Sequence, residues 1–436
     1  MKNKYLDKQE YYVDKLWFHH QGNIYRGNGV LRWSPEKGFR LVAKILDGPR
    51  PSKVEVRSIE IVKPLRMMFE ITTTWGKNYV ITPRLKLRDS DLHFNHSLAI
   101  NFGRAVFFHY SGHESSAMKE KWFGSAMYEV NENLIFPDAI HKETKLGEKP
   151  FGESFSRTGF DYDGENGEHI SGEISDSKYI YFNWSLPKKK WFKGKSWQFA
   201  EALQDALSIV SGNVARLRYH EAYRGDCITK EYNANEESTS LGLVFRLFDF
   251  DIVPKELVAP LAFYLSEKSE GEFIIRKMFW QIVDAANQNS DGGQALLLST
   301  VLEASLRTLY NLPFIPGRHS REDPFNPSKI LEQFQSEYLS GKHDTKWKNK
   351  IEEVIEAYKR LRHRYAHPDW VRTQGGMLSD SEIGQSINDM ILLSRFYGYM
   401  ILAVTGIKDL EPKFPVPFSN WRPIMTMETI SNKPEE

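Results

Sequence analysis

The stretch that decides the fold of the C-terminal half is WKNKIEEVIEAYKRLRHRYAHPDW, residues 347–370. At 100° per residue its apolar side chains fall on one face, between about 280° and 40° when Ile351 is taken as zero. That spacing predicts an amphipathic helix that packs against other helices. The apolar positions recur at steps of three and four: Trp347, Ile351, Val354, Ile355, Tyr358, Leu361 and Tyr365.

Arg362 falls inside this apolar face, at about 20° on the same wheel. A guanidinium there is costly unless it is paired, lies at an interface or is held over a binding cleft. His367 follows five residues later and precedes Pro368, which disfavours helical geometry at the histidine. His367 is therefore predicted at or just past the helix C-terminus, where the helix dipole favours the imidazolium form.

Two further features of this region leave alternatives open. His363 and His367 stand at i and i+4, which is also the spacing of a metal pair, but no cysteine and no acidic partner at a metal-site spacing lies nearby. Residues 342–364 contain eight Lys or Arg against four Asp or Glu, a local excess that would attract phosphate. The lysine-rich tract 188–195 is either a phosphate contact or a solvated linker.

Composition excludes several classes of protein. The 436 residues are 41% hydrophobic and 26% charged, with a net charge of +1, so the chain is predicted to be globular without a global nucleic-acid-binding charge. Its single cysteine, Cys227, excludes an internal disulfide framework and cysteine-rich zinc sites. The N-terminus lacks the apolar run of a signal peptide, and Met390 to Val404 is predicted to be a buried helix. We expect a cytoplasmic protein without a membrane segment.

The fold class predicted is α+β, with an N-terminal antiparallel β-rich domain over 1–195. Its stretches near residues 54–62, 68–75 and 179–184 are short, rich in β-branched and aromatic residues, and separated by turn formers. The turn-rich piece from Gly147 to Gly172 is predicted to be a long surface excursion.

After about residue 196 the apolar spacing becomes helical. A helical connector is predicted over 196–268, an all-α bundle over 269–410 and a Pro-rich tail over 411–436. Ser379-Asp-Ser-Glu382 is a capping-box sequence, and Gly406 stands where a C′ glycine would end the last helix. Helices are predicted near 255–267, 271–288, 294–310, 327–339, 345–366 and 380–405.

The string from Tyr358 to Trp370 resembles the signature of the HEPN superfamily, an arginine followed by a polar residue and, four to six residues after the arginine, a histidine. Arg362 matches the arginine, His363 the polar position and His367 the histidine. The upstream helix, QALLLSTVLEASLR at 294–307, resembles the earlier helix of that superfamily, in which a polar residue, here Glu303, supports the arginine.

The resemblance implies an all-α HEPN-type bundle and a metal-independent endoribonuclease without cofactors. Arg362, His367 and His363 would be catalytic, and Glu303 would hold Arg362. RNA-binding roles are expected for Lys359, Arg360 and Arg364. The products would be a 2′,3′-cyclic phosphate and a 5′-hydroxyl. The substrate would be RNA, with tRNA as one candidate. A homodimer would bring two motifs together.

The layout of a β-rich half before such a bundle is similar to that of ApeA-type bacterial anti-phage proteins, which implies abortive infection and a β half that senses a phage protein. The alternative is a non-catalytic HEPN scaffold that binds a nucleotide, RNA or a protein partner.

Overall fold

The computed structural model describes the chain over a set of ranges that includes most of residues 196–407. The described residues are 9–20, 23–34, 38–47, 58–63, 67–72, 80–85, 96–102, 104–110, 121–131, 134–136, 138–146, 149–176, 178–187, 196–224, 227–233, 238–248, 253–267, 270–313, 325–338, 344–366, 379–407, 410–412 and 427–429.

The chain forms two compact units. The strand unit comprises Met1–Val130, Asp138–Glu201 and Arg216–Ser238. The helical unit comprises Asn131–Pro137, Ala202–Ala215 and Thr239–Glu436.

Nineteen strands are present in the described residues. They are β1 (Gln9–His20), β2 (Asn23–Ser34), β3 (Gly38–Asp47), β4 (Ser58–Lys63), β5 (Met67–Thr72), β6 (Val80–Leu85), β7 (His96–Phe102), β8 (Arg104–Tyr110), β9 (Lys121–Glu129), β10 (Asp138–Leu146), β11 (Lys149–Asp163), β12 (His169–Asp176), β13 (Tyr179–Pro187), β14 (Asn213–Val214), β15 (Arg216–Arg224), β16 (Cys227–Asn233), β17 (Thr239–Ser240), β18 (Leu410–Pro412) and β19 (Met427–Thr429).

Fifteen of these strands form one sheet in the order β10-β11-β12-β13-β9-β15-β16-β8-β5-β4-β1-β2-β3-β7-β6. The registered pairs, such as β9 with β13 and β9 with β15, are antiparallel. Together with the helices below, this sheet makes the protein a mixed α+β protein.

Around β9 the core of the strand unit is aromatic. Tyr128 and Phe182 are fully buried, and their rings meet edge to face with centroids 5.9 Å apart. Phe160 of β11 packs on Phe182 at 5.2 Å in the same edge-on manner. The Tyr128 hydroxyl donates to the Ala200 carbonyl at 2.8 Å, which satisfies its polar end.

Eight helices are present in the described residues. They are α1 (Ser196–Ser211), α2 (Gly242–Phe245), α3 (Lys255–Ser266), α4 (Glu270–Ala286), α5 (Asp291–Leu309), α6 (Pro327–Tyr338), α7 (Asp344–Ala366) and α8 (Asp380–Thr405). The last six lie where the apolar spacing predicts helices, within three residues at each end.

Helices α5, α7 and α8 pack against one another at the centre of the helical unit. Their buried faces carry Leu298 and Leu302 on α5, Val354 and Leu361 on α7, and other large apolar side chains on α8. Burial of each such side chain contributes about 1.5–3 kcal/mol. The apolar face read from residues 347–370 is therefore the face that α7 buries.

Both predicted ends of α8 are confirmed. The Ser379 side chain accepts from the Glu382 backbone amide, and the Glu382 carboxylate accepts from the Ser379 amide at 2.9 Å, which completes the capping box. Gly406 has φ 67° and ends the helix in the left-handed region. In the described part of the chain α8 alone is long and apolar enough to cross a bilayer, and 67% of its most apolar window is buried within the protein.

The middle of α8 lies directly against the segment that follows α2. Arg395, 2% exposed, donates to the Arg246 carbonyl. One turn later, a Cβ on Gly398 would stand 2.5 Å from the Leu247 carbonyl oxygen. Backbone and helix approach here as closely as the absence of a side chain allows.

Two predicted segments differ from the structure. From residue 149 on, the surface excursion expected from Gly147 to Gly172 instead forms β11 and the start of β12, a hairpin that turns at Gly164–Gly167 and buries Phe160 and Ile170. Other turn formers of this piece, such as Pro150 and Gly152, lie within β11. The predicted helical connector 196–268 is helical at its ends but contains β15 and β16 in its middle, and these strands belong to the strand unit.

Candidate functional site

The structure brings Glu303 of α5 and Arg362 of α7 together. Nη1 of Arg362 lies 2.7 Å from Oε2 of Glu303, and their side chains are 42% and 14% exposed. Arg362 therefore occupies the edge of the apolar face, with its charge paired and part of its guanidinium open to solvent. Its position on the wheel is thus explained by a partner within the same chain.

Glu303 is shared among three side chains. Its Oε1 accepts from Nε of Arg307 at 2.9 Å, and Nη2 of Arg307 lies at the same distance. Its Oε2 faces Arg362 and also accepts from the Tyr358 hydroxyl at 3.4 Å. The carboxylate thus connects an arginine of its own helix, α5, to an arginine and a tyrosine of α7.

Tyr358 lies beneath this group and is 5% exposed. Burial raises the pKa of its hydroxyl to about 12, so the phenol stays protonated at neutral pH. The guanidinium of Arg362 stands 5.9 Å from the centre of the Tyr358 ring. The aromatic face and the carboxylate together restrict where Arg362 can point.

The histidines of the motif are placed unequally. His363 lies in the last turn of α7, where its side chain is exposed. His367 lies outside the described residues, which end at Ala366 on this side and resume at residue 379. The prediction that His367 lies at or just past the end of this helix therefore falls outside the described residues.

The three basic residues expected to bind RNA have different surroundings. Lys359 is exposed and pairs with Glu356 at 2.9 Å. Arg360 donates through Nε and Nη2 to both oxygens of Asp389, at 2.9 and 2.7 Å, and this pairing raises the pKa of the guanidinium.

Arg364 donates to the Glu382 carbonyl at 2.9 Å and to the Ser386 hydroxyl at 2.5 Å. Arg360 and Arg364 therefore connect α7 to α8, and the RNA-binding role expected for them stays a prediction.

Arg307 is the member of this group that was not singled out from sequence. It stands four residues after Glu303 on the same helix, so the two share a face, and this spacing is the signal that could have identified it. From sequence alone, an arginine four residues after a glutamate indicates an ordinary ion pair on a helix surface. Arg307 differs from such a surface residue because only 7% of its side chain is exposed.

A second cluster of polar residues lies in the strand unit. Glu129 contacts Arg218 at 2.5 Å and Lys178 at 2.6 Å, which pairs its buried charge. Nearby, His220 is fully buried and stacks on Trp184 at 5.9 Å, and burial lowers its pKa to about 3. At physiological pH His220 is therefore neutral and cannot act as a general acid.

Among the described residues no group of three or more His, Cys, Asp or Glu side chains is arranged to hold a metal ion. His367 of the alternative His363–His367 metal pair lies outside those residues. The lysine-rich tract 188–195 lies outside those residues. No model of a known family matches the chain, and neither a curated protein nor a solved structure is significantly similar to it.

Proposed function

We propose that this protein is a metal-independent endoribonuclease of the HEPN type. The observation that carries the proposal is the pairing of Arg362 with Glu303 across α5 and α7, at the end of the helix that bears the Arg–His motif. A partly exposed arginine that is oriented by a largely buried carboxylate is suited to bind the phosphate of a substrate. His367, five residues later in the sequence, is predicted to lie beside it. The same proposal includes the domain arrangement, with an N-terminal β domain over 1–195 followed by a HEPN-type bundle over 269–410.

RNA provides its own nucleophile, so the reaction needs little from the protein. The 2′-hydroxyl attacks the adjacent phosphorus, its proton is taken by a base, and the P–O5′ bond breaks as the leaving oxygen receives a proton. These steps give a 2′,3′-cyclic phosphate and a 5′-hydroxyl. Charge that accumulates on the phosphorane oxygens requires a cation, which an arginine can supply without a metal or cofactor.

Each residue of the motif takes one role in this scheme. Arg362 clamps the scissile phosphate and stabilises the charge of the transition state. His367 acts as general acid or base, and His363 orients the phosphate or His367. Glu303 holds Arg362 in position.

A homodimer is proposed because the HEPN resemblance implies a cleft in which two motifs face each other, which a symmetric contact between two copies would supply. The charge of Arg362 is paired within the chain by Glu303, so it gives no separate support to the dimer. Light scattering and cleavage measured on the same sample test assembly. An active obligate monomer would reject the dimer.

The proposed setting is bacterial anti-phage defence in the cytoplasm, with RNA as the substrate and tRNA as one candidate. A nuclease that kills its host requires a trigger, so residues 1 to about 190 are proposed to sense a phage protein and to signal through the segment Trp197–Leu265. Phages selected to escape defence test this. Escape mutations that cluster in one phage protein binding the full-length chain support sensing, and their absence counts against it.

The nuclease proposal is tested by incubating purified full-length protein with total RNA in EDTA and mapping the cut ends. Cyclic phosphate ends that depend on Arg362 and His367 are expected, and His363→Ala should weaken cleavage less than either. RNA that is bound but stays intact both with the purified protein and in phage-infected cells that carry it would reject the nuclease and leave the non-catalytic scaffold.

A further inference from the structure

We propose that Arg307 is a positioning residue of the site: it fixes the Glu303 carboxylate so that Glu303 can orient Arg362. This inference rests on the proposed function for its kinetic readout but on the contacts of α5 for its geometry. Arg307 itself touches no substrate, because its side chain is 7% exposed and lies behind Glu303.

Arg307 is held from three directions. Its Nη1 donates to the Pro313 carbonyl at 2.8 Å, beyond the end of α5. Its guanidinium lies 4.7 Å from the centre of the Phe325 ring, in the segment that leads into α6. Its Nε and Nη2 both reach Oε1 of Glu303. Because these contacts fix the planar guanidinium of Arg307, its N–H donors point toward Glu303 in a single orientation.

The consequence is a division of labour between the two oxygens of Glu303. Oε1 is occupied by Arg307, so Oε2 is the oxygen turned to α7 and to Arg362. Without Arg307 the carboxylate could rotate, and Arg362 would pair with either oxygen. A displacement of this kind, about 1 Å at the reacting phosphate, lowers turnover by about a hundredfold.

A merely structural role is the competing explanation, and the chain offers a matched control for it. Arg276 of α4 likewise pairs with a glutamate four residues away, Glu272 at 3.0 Å, and donates to a backbone carbonyl, Leu265 at 3.1 Å. It also pairs with Asp205 at 3.0 Å. Arg276→Met should therefore reproduce the loss of an anchored, partly buried arginine without touching Glu303.

The experiment compares Arg307→Met, Arg307→Lys and Arg276→Met in the full-length protein, with steady-state cleavage of an RNA oligonucleotide and thermal melting. Arg307→Met should lower kcat by about 10- to 100-fold and change KM by less than about threefold, because orientation matters most in the transition state. Arg307→Lys, which keeps the charge but not the fork, should fall between. Arg276→Met should lower Tm while keeping kcat.

Binding of a fully 2′-O-methylated RNA oligonucleotide, which cannot be cleaved, is read by fluorescence anisotropy. Arg307→Met should weaken this binding by about threefold in the wild-type background and not at all on top of Arg362→Ala, because coupled residues are not additive. This readout needs no catalysis. Wild type that binds in this Arg362-dependent pattern but never cleaves would reject the nuclease and retain the positioning role.

Three outcomes overturn the inference itself while leaving the nuclease intact. One is a kcat of Arg307→Met equal to that of wild type. Another is an equal loss of kcat in Arg276→Met, which would make the effect structural. The third is an effect of Arg307→Met that persists unchanged in a Glu303→Gln background. If Arg307→Met does not fold, Arg307→Lys carries the test, and a wild-type kcat in that variant also overturns the inference.

Discussion

Helix α7 places arginines against two neighbouring helices, α8 and α5, and the two sides differ in how the arginine is paired. Toward α8, Arg360 gives both edges of its fork to the buried carboxylate of Asp389. Toward α5, Arg362 reaches Glu303 through Nη1. The exposed fractions of the two side chains are nearly the same, 41% and 42%.

The difference teaches that neither charge count nor exposure identifies a phosphate site. Arg360 and Asp389 form a one-to-one pair whose net charge is zero. Glu303 is shared by Arg307 and Arg362, so on that side two arginines face one carboxylate. Part of the excess of basic residues along 342–364 is thus paired with carboxylates of α8 and α5.

The largest expected effect is on the α5 side. Arg362→Ala should lower cleavage by about a thousandfold, comparable to the loss of one donor that stabilises a transition-state oxyanion, with an unchanged circular dichroism spectrum. His367→Ala should act similarly. Initial rates on one RNA substrate measure this, and a fully active Arg362→Ala protein would end the nuclease proposal.

On the α8 side the effect should fall on stability. Arg360→Ala leaves the carboxylate of Asp389, 2% exposed, without its cation, and should lower the free energy of unfolding by about 2 kcal/mol, reduced from the fully buried case by the exposure of Arg360. Denaturant titration measures the loss. Cleavage per folded molecule should stay at the wild-type rate, and a specific loss of kcat would show that both sides serve the site.

Asp389→Asn provides the control for that assignment. Added to Arg360→Ala, it removes the uncompensated charge and should recover part of the lost stability. A double variant that is destabilised by the full sum of the two single changes would mean that the pair is not coupled.

Alkaline pH probes Tyr358 on the α5 side. Folding raises its pKa from about 10 to about 12, so between these values the native state holds a proton that the unfolded state has lost. Stability must therefore fall as pH rises through this window. Tyr358→Phe should gain on wild type by up to about 2 kcal/mol between pH 9 and pH 12. Equal slopes in pH-dependent unfolding would contradict the assignment.

The smallest effect is expected at Arg364. Its partners, the Ser386 hydroxyl and the Glu382 carbonyl, are neutral, and the hydroxyl also donates to that carbonyl at 3.0 Å. Arg364→Gln should therefore cost about 1 kcal/mol in unfolding and leave RNA affinity unchanged. Weaker RNA binding by this variant would return Arg364 to the RNA-binding surface.

The helical unit was largely predictable because its signals are local. Apolar spacing located six helices, and Ser379 and Gly406 marked both ends of α8 through their own backbone chemistry. The Glu303–Arg362 contact joins residues far apart in sequence, and it came only from the family resemblance. Arg307 was missed, although its spacing from Glu303 is equally local.

The strand unit was less predictable for a physical reason. In β15 both faces are buried, and Arg218, His220 and Glu221 are all under 6% exposed. Polar residues at buried positions remove the apolar alternation on which a strand prediction depends. Strand order is also set by pairings such as β16 with β8, between residues more than a hundred positions apart, which no local pattern encodes.

The close approach at Gly398 limits how this protein can change over evolutionary time. Any side chain at this position would push α8 away from the Leu247 backbone, and α8 is the support on which Arg360 and Arg364 anchor the helix that carries the motif. Substitution there would be selected against for reasons that look unrelated to chemistry. A family of descendants should therefore keep a glycine at this buried position even where the loops around it have diverged.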